Sequence, residues 1–385
     1  MAVTVIAGQR VSKTTTSATG INQDKRVIEM RDKVFLLEPS AAPLTLFTNK
    51  ARREEVRNPE FKWLEQEVIP HKDAVNASAG YTAGDVALTV DNGAYFRDNF
   101  LVQVQRTHEV MKVTSVVGNK ITVTRSWGGT AAAALVDNDA LSILGPIAEE
   151  GASAETSWSS QSATQSNYTE ICRRPFQVTG TVMASDLYGG SDFDLVQKLA
   201  GIEFAKYIEL KLLFGEKAEV TTGTGPERST GGILEVISTN ADDYGGAFSL
   251  EEFFTSMEDF LRYGSKSKVF FCGSAVVSAI SLAAAARLEV IPSEDSFGIA
   301  VDRLVTPHGN LMIVKHDLFD GAEHKNLALM VDLDNVGYAY LRGRDTKLIQ
   351  NIQTPGDDLR KDEWLAEMGL FRAQEKTHGY ITNAA

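Results

Sequence analysis

Residues 166–216 read SNYTEICRRPFQVTGTVMASDLYGGSDFDLVQKLAGIEFAKYIELKLLFGE. The first half alternates apolar and polar side chains, the period of an extended strand. The second half, from Ser191 to Phe214, reads as one long helix. At ~1.5 Å rise per residue it spans roughly 36 Å, the width of a small domain. Ser191 is placed to cap its start, with Asp194 three residues on as a variant of the capping box. Gly215 stands where a C-terminal cap is expected. The apolar positions Phe193, Val196, Leu199, Ile202, Phe204, Ile208 and Leu212 do not collect on one narrow stripe, and Lys198, Glu203, Lys206 and Glu209 interleave with them. Such a helix is expected to touch material on more than one side. No side-chain chemistry stands beside it, so it reads as a scaffold element.

Downstream, residues 217–247 are Gly/Thr-rich and loop-like. Ser249-Leu-Glu-Glu252 then forms a capping box, and Leu250, Phe253, Phe254, Met257, Phe260 and Leu261 follow at helical spacing, with Gly264 closing the helix. KVFFC (268–272) reads as a buried strand, SAVVSAISLAAAARL (274–288) as a small-residue helix, and LMIVKH (311–316), LALMVD (327–332) and VGYAYLRG (336–343) as strands. A tight turn at Leu333-Asp334-Asn335 joins the last two. The pattern is that of an α/β layer domain. EWLAEMGLFRAQEKTHGYI (363–381) is a strand-rich return.

Upstream, EEGASAETSWSSQSATQS (149–166) has the composition of an extended connection. Residues 81–145 look like a separate module. Val86, Leu88 and Val90 alternate, as do Ile121 and Val123, and Gly118-Asn119 is a two-residue hairpin turn. Further turns at Asp91-Asn92-Gly93 and Gly128-Gly129 suggest five or six short strands in a small barrel or sandwich. FKWLEQEV (61–68) reads as a strand with one apolar face. Residues 1–35 are too polar to bury much surface alone and are expected to be disordered or to order on a partner.

The chain has 385 residues and a net charge of −13, yet residues 1–60 carry ten Lys and Arg against seven Asp and Glu. The body is therefore clearly acidic, which argues against a general nucleic-acid-binding surface. Cys172 and Cys272 form no motif, so neither a disulfide framework nor a thiol metal site is indicated. The N-terminus lacks the apolar core of a signal peptide, and no apolar run is long enough to cross a bilayer.

The search for chemistry is negative in every class. The six histidines lack ligand spacing; the sharpest metal candidate is His316 and Asp317 with Asp320 and His324, where solvated charges at a strand end are the commoner reading. GTGPERSTGG (223–232) lacks the Gly-Lys-Ser/Thr of a phosphate loop and reads as a flexible surface loop. There is no Gly-x-Ser-x-Gly elbow. Arg173-Arg174 beside Pro175 is a small candidate anion site, or simply two exposed charges. No catalytic residue, cofactor or metal is expected.

Several strings resemble the major capsid proteins of tailed double-stranded DNA bacteriophages, those of the Hong Kong ninety-seven-like fold. They are AAPLTLF (41–47), FKWLEQEV (61–68), SNYTEICRRPFQVTGT (166–181), the Gly-rich approach to the long helix, STGGILEVIST (229–239) and EMGLFRAQEKTHGYI (367–381). Each is loose alone; their order and spacing carry the resemblance, which is closest to the branch with a β-domain inserted in the extended loop. It implies an α+β fold with residues 1–60 as an N-terminal arm and 61–180 as the extended loop, holding 81–145 as an all-β insertion. It further implies 181–248 as a peripheral domain with spine helix 191–214, 249–335 as an axial domain, and 336–385 as a return into the peripheral domain.

The same resemblance implies a virion structural protein, assembled in the host bacterial cytoplasm as hexamers and pentamers of itself into an icosahedral shell around DNA, with weak non-specific DNA contact and no membrane contact. Trp63, Arg173, Arg174, Phe176, Leu199, Phe204, Phe253 and Phe254 are singled out as assembly contacts. A portal and decoration proteins are further expected partners. No long scaffold-like region precedes the arm: either one has been cleaved off or a separate scaffolding protein guides assembly, and the Met1 start favours the second. No Lys–Asn cross-linking pair is identified. The alternatives are an encapsulin-like nanocompartment of the same fold and, from another class, a soluble hydrolase or binding protein with its site in 249–335.

Overall fold

The computed structural model describes residues 44–45, 48, 52–153, 157–185, 191–221, 223, 225–246, 248–287, 290–292, 302–306, 308–319 and 321–384. The expected arm therefore lies mostly outside the described residues. The chain divides into two compact units, Met1–Trp63 with Ser166–Ala385, and Leu64–Gln165.

In the first unit the decisive stretch forms the strand Glu170–Thr179 and the helix Asp192–Phe214. Ser191 Oγ accepts from the Asp194 N–H at 3.4 Å, and Asp192 and Asp194 put negative charge in the first turn, where the exposed N–H groups favour it. Gly215 ends the helix, but not through a left-handed conformation. A Cβ there would meet the carbonyl oxygens of Lys211 and Thr230 at 2.4 Å. Glycine is required by close approach.

The strand Glu170–Thr179 pairs antiparallel with Leu359–Arg372 over ten residues. Leu359–Arg372 also pairs with Val336–Leu341 and Lys347–Ile349, and Arg53–Val56 adds in parallel to Val336–Leu341, giving a five-stranded sheet. Phe204, Ile208, Leu212 and Leu213 of the helix pack with Cys172, Ala366, Met368 and Leu370 of this sheet. Each such buried Leu, Ile, Phe or Met side chain is worth about 1.5–3 kcal/mol.

A seven-stranded mixed sheet runs in the order Ala241–Asp243, Gly379–Thr382, Ala328–Val331, Ser267–Cys272, Asn310–Lys315, Asp302–Val305, Val290–Pro292. Its centre is buried on both faces. Along Ser267–Cys272, Val269 and Phe271 enter the core shared with the long helix, while Phe270 and Cys272 face a second core. That second core holds Phe253, Met257 and Phe260 of helix Leu250–Phe260, with Val276 and Ile280 of helix Ser274–Arg287. Alternation along a strand thus sends successive side chains into different layers.

Five expectations are refined or overturned here. The seven-stranded sheet reaches beyond 249–335, taking one strand from 241–243 and one from 379–382. The turn at 333–335 does join two strands, but it passes the chain from one sheet to the other. Residues 217–247 are not all loop: Ala218–Thr221 and Pro226–Ser229 form a hairpin, with Glu219 opposite Arg228 and ion-paired to it at 3.0 Å. Ser249 precedes its helix without a side-chain cap bond. The helix also stops at Phe260, before Gly264, and the Lys268 ammonium donates to the Phe260 carbonyl at its end.

In the second unit, strands Lys72–Ala74, Ala140–Pro146, Phe100–Val104, Val110–Val117, Lys120–Thr124 and Ala87–Thr89 form a six-stranded sheet in that order. It begins nine residues ahead of the 81–145 span. The two outer strands meet at the Val75–Val90 bridge, where Asn76 N–H bonds Thr89 C=O at 2.9 Å and Asp91 N–H bonds Ala74 C=O at 3.1 Å. The sheet therefore closes into a barrel. The Gly118-Asn119 hairpin connects its strands as expected, with Gly118 at φ +58°. Val75, Leu88, Val90, Val102, Met111 and Ile121 are among the side chains filling the interior, all fully buried.

Candidate functional site

The long helix carries one charged side chain with no solvent exposure, Glu209. Its turn neighbours Ile208, Leu212 and Leu213 direct that face into the core, so the carboxylate must find partners there. Oε1 accepts from the Leu44 N–H at 2.7 Å and from His316 Nε2 at 2.8 Å; Oε2 accepts from the Thr45 N–H at 2.8 Å and from Thr45 Oγ1. Leu44 and Thr45 are helical, and the carboxylate accepts the backbone N–H of each. His316, fully buried at the end of Asn310–Lys315, accepts the Leu318 N–H at Nδ1 (3.2 Å), which leaves Nε2 as donor to Glu209. Its ring stacks on Phe319 at 4.6 Å. Three distant pieces of chain are tied at one carboxylate.

The expected metal candidate is not brought together. His316 faces Glu209, Asp317 pairs with Lys315 at 3.0 Å, and His324 stacks on Phe214 at 4.7 Å. Asp320 lies outside the described residues. Among the described residues no group of three or more His, Cys, Asp or Glu could hold a metal ion, and no described helix is long and apolar enough to cross a membrane. The segment 223–232, read as a flexible surface loop without the Gly-Lys-Ser/Thr of a phosphate loop, contains the hairpin strand Pro226–Ser229 and leads into the one-turn helix Ile233–Val236.

A second buried polar cluster surrounds Lys268, which has no exposure. Its Nζ donates to the carbonyls of Phe260, Tyr263 and Thr377 at 2.7, 2.8 and 2.6 Å. These three acceptors match the three N–H bonds of an ammonium. Burial pulls the amine down to about 8, against the attraction of Asp332. His378 Nδ1 accepts the Asp332 N–H at 3.2 Å, and burial lowers this imidazole to about 4. Both clusters join segments far apart in sequence, and their charged side chains are fully buried. The two thiols are buried, and burial raises both. That is the setting of an inert cysteine.

The residues singled out as contacts fall into three groups. Phe176, Phe204 and Phe253 are 5%, 3% and 1% exposed, so their side chains face the chain's own cores. Arg173 and Arg174 are not a free anion site, because each guanidinium already holds a carboxylate: Arg173 grips Glu363 with two nitrogens, and Arg174 reaches Glu203 at 2.6 Å. Trp63 and Phe254 are half-buried, Trp63 against Phe371 at 4.9 Å, and Leu199 is 39% exposed. Sequence reading missed Glu209, Lys268 and His378. The one available signal was positional: Glu209 lies one turn before Leu213 in a helix with too many apolar residues for one stripe.

Comparison with known proteins gives a consistent set of matches. A family model described as SU10 major capsid protein matches residues 11–385. The major capsid protein of Pseudomonas phage PaMx41 is 26% identical over 306 residues, covering 74% of this chain and 73% of that protein. Among solved structures, the capsid of Cyanophage P-SCSP1u is 8% identical with a TM-score of 0.49, covering 96% of each chain. The capsid of the native GTA particle is 10% identical with a TM-score of 0.48, covering 94% of this chain and 96% of its own.

Proposed function

We infer the role of this chain from its membership: it belongs to the SU10 major capsid protein family, and it is a phage major capsid protein, a component of the virion that forms the capsid shell. The match over residues 11–385 carries the reading, because it spans both compact units. We propose that the shell is icosahedral, built from hexamers and pentamers on the Hong Kong ninety-seven-like plan. In this reading Asp192–Phe214 is the spine helix, residues 1–60 are an arm and 61–180 are the extended loop, whose all-β insertion, read from sequence as 81–145, lies within the compact unit Leu64–Gln165. A separate scaffolding protein, a portal and decoration proteins are the partners proposed, with assembly in the host cytoplasm.

The physics suits that role. A subunit tiling a closed surface needs rigid bodies joined by segments that order on neighbours, so that many moderate contacts add. Buried nodes such as Glu209 and Lys268 make the body rigid by cross-tying distant chain segments. Contacts between copies then fall to side chains with surface to spare, among them Trp63, Phe254 and the 60% exposed Arg173. The reading assigns no catalytic role to any residue. The net charge of −13 fits a wall that packaged DNA does not adhere to.

Electron microscopy of the purified protein, expressed with any assembly partners it needs, tests this. Closed shells with five- and six-fold clusters are expected. Isolated subunits at every concentration, with partners present, would overturn it.

A further inference from the structure

The two thiols have different neighbours. Cys272 Sγ faces the Phe270 carbonyl at 3.6 Å, a contact with no chemistry in it. Cys172 Sγ lies 3.4 Å from Nζ of Lys211, in the last turn of the long helix. The same ammonium is ion-paired with Glu170 Oε1, and Glu170 Oε2 accepts the Thr230 N–H at 3.2 Å. The carboxylate is thus anchored on its far side and holds the lysine against the thiol. Glu170 and Cys172 stand two residues apart on strand Glu170–Thr179, on one face of the sheet, so the amine meets both. Cys172 is 3% exposed, whereas the Lys211 side chain is 34% exposed. The pair sits at the rim of the core, where a small solute can arrive from the nitrogen side and a bulky reagent cannot reach the sulfur.

We propose that Lys211 and Cys172 form a site of oxidative cross-linking, closing to an Nζ–O–Sγ bridge with dioxygen as the oxidant. Glu170 accepts the proton that the ammonium must shed first. The S–H bond and one N–H bond of the neutral amine then break, and S–O and O–N bonds form. Both hydrogens leave on the second oxygen atom as water. Sulfur and nitrogen each give up two electrons, and dioxygen takes the four. Hydrogen peroxide serves equally, two molecules yielding the bridge and three waters. The separation selects this product: one oxygen atom spans the gap with little movement of a flexible lysine, whereas a direct S–N bond requires a far closer approach. Holding the two groups in contact replaces a chance encounter with a standing one. Burial keeps the sulfur a thiol, so it is inert on short exposure and the bridge accrues slowly. The bridge ties the end of the long helix to the sheet on which its neighbours Leu212 and Leu213 already pack. By closing a loop through residues 172–211 it restricts the unfolded chain, as a disulfide does. The inference does not depend on the shell, since it is a property of one subunit.

Mass spectrometry of the folded full-length protein, held for days in air-saturated buffer or for hours in dilute hydrogen peroxide, tests this. The expected species has gained one oxygen atom and lost two hydrogens, and excess dithiothreitol restores the starting mass. Trypsin should fail to cut that species after Lys211, and residues 207–217 should appear joined to the peptide ending at Arg173. Lys211→Arg, which keeps a cation beside Glu170, and Cys172→Ser should each abolish the species; Cys272→Ser should leave it. The peptide map of the parent needs no variant, so the test stands even if a substitution misfolds. A parent whose mass never changes would overturn the proposal. So would oxygen added to Cys172 while trypsin still cuts after Lys211, a loss of two hydrogens with no oxygen gained, or the same species in Lys211→Arg.

Discussion

His316 Nε2 and Glu209 Oε1 lie 2.8 Å apart with both side chains fully enclosed, and the same carboxylate holds the backbone of Leu44 and Thr45. Glu209→Gln keeps the shape but replaces one acceptor oxygen with an N–H₂ donor. At least one of the donors now facing Glu209 must then lose its partner. A loss of about 2–4 kcal/mol in chemical denaturation is expected, since a charged, buried acceptor is removed. Hydrogen exchange should show the loss concentrated at residues 44–48. An unchanged midpoint, or a loss spread evenly over the chain, would contradict the assignment.

The barrel contains its own enclosed ion pair. Arg125 and Glu109 are 2.7 Å apart with side chains 6% and 0% exposed, and Glu109 also accepts the N–H groups of Ala133 and Ser126. Burial pushes this carboxyl up, but the Arg125 guanidinium and the two N–H groups together hold it below its ordinary value. Its stabilising contribution is therefore present above the ordinary carboxylate value and lost as pH falls through the depressed one. Arg125→Met should cost the barrel about 3–5 kcal/mol, because a buried charge is stranded. Adding Glu109→Leu should recover much of that loss; a double variant worse than the single would count against the account.

His378 makes stability depend on mild acid. Burial is the main cause of its low value of about 4, with Lys268 acting in the same direction and Asp332 opposing. The unfolded chain takes up this proton near 6.5 and the folded chain only near 4. Stability from this residue is hence full above about pH 6.5 and falls by about 3 kcal/mol by pH 4, below which the slope ends. In His378→Asn, whose side-chain oxygen can still accept the Asp332 N–H, this one-proton slope between pH 6.5 and 4 should vanish from denaturation midpoints. A slope identical to the parent's would place the titrating group elsewhere.

Residues 64–165 produced alone should fold. Their core closes on itself, with every barrel strand pairing and every interior side chain supplied by that segment. The expected result is a β-type circular dichroism spectrum with cooperative melting. A random-coil spectrum would show that the barrel needs the rest of the chain.

What sequence could disclose follows from the range of the interactions. The long helix was legible from Ser191 to Phe214 because its cap and its length are local, and the Gly118-Asn119 hairpin for the same reason. The barrel was one of two readings open, since nothing in 72–76 announces that it will meet 89–91. The Glu209 node was invisible. Leu44 and His316 are 165 and 107 residues from it, and an interleaved Glu on a helix ordinarily points to water. At 218–229 the Gly/Thr-rich composition hid a hairpin whose Glu219–Arg228 pair sits across, not along, the chain. Ser249 fits a capping motif perfectly well, yet makes no side-chain cap bond; motifs propose a geometry that packing then accepts or declines.

The join at Val75 and Val90 has a consequence for a molecule that must live beside its own duplicates at very high local density. An open sheet would present a row of vacant amides to every neighbour and invite strand exchange, a route to irregular clumps. By meeting its own first strand, this module leaves its duplicates little backbone to grasp there, so crowding can favour ordered side-chain recognition over indiscriminate β-stacking.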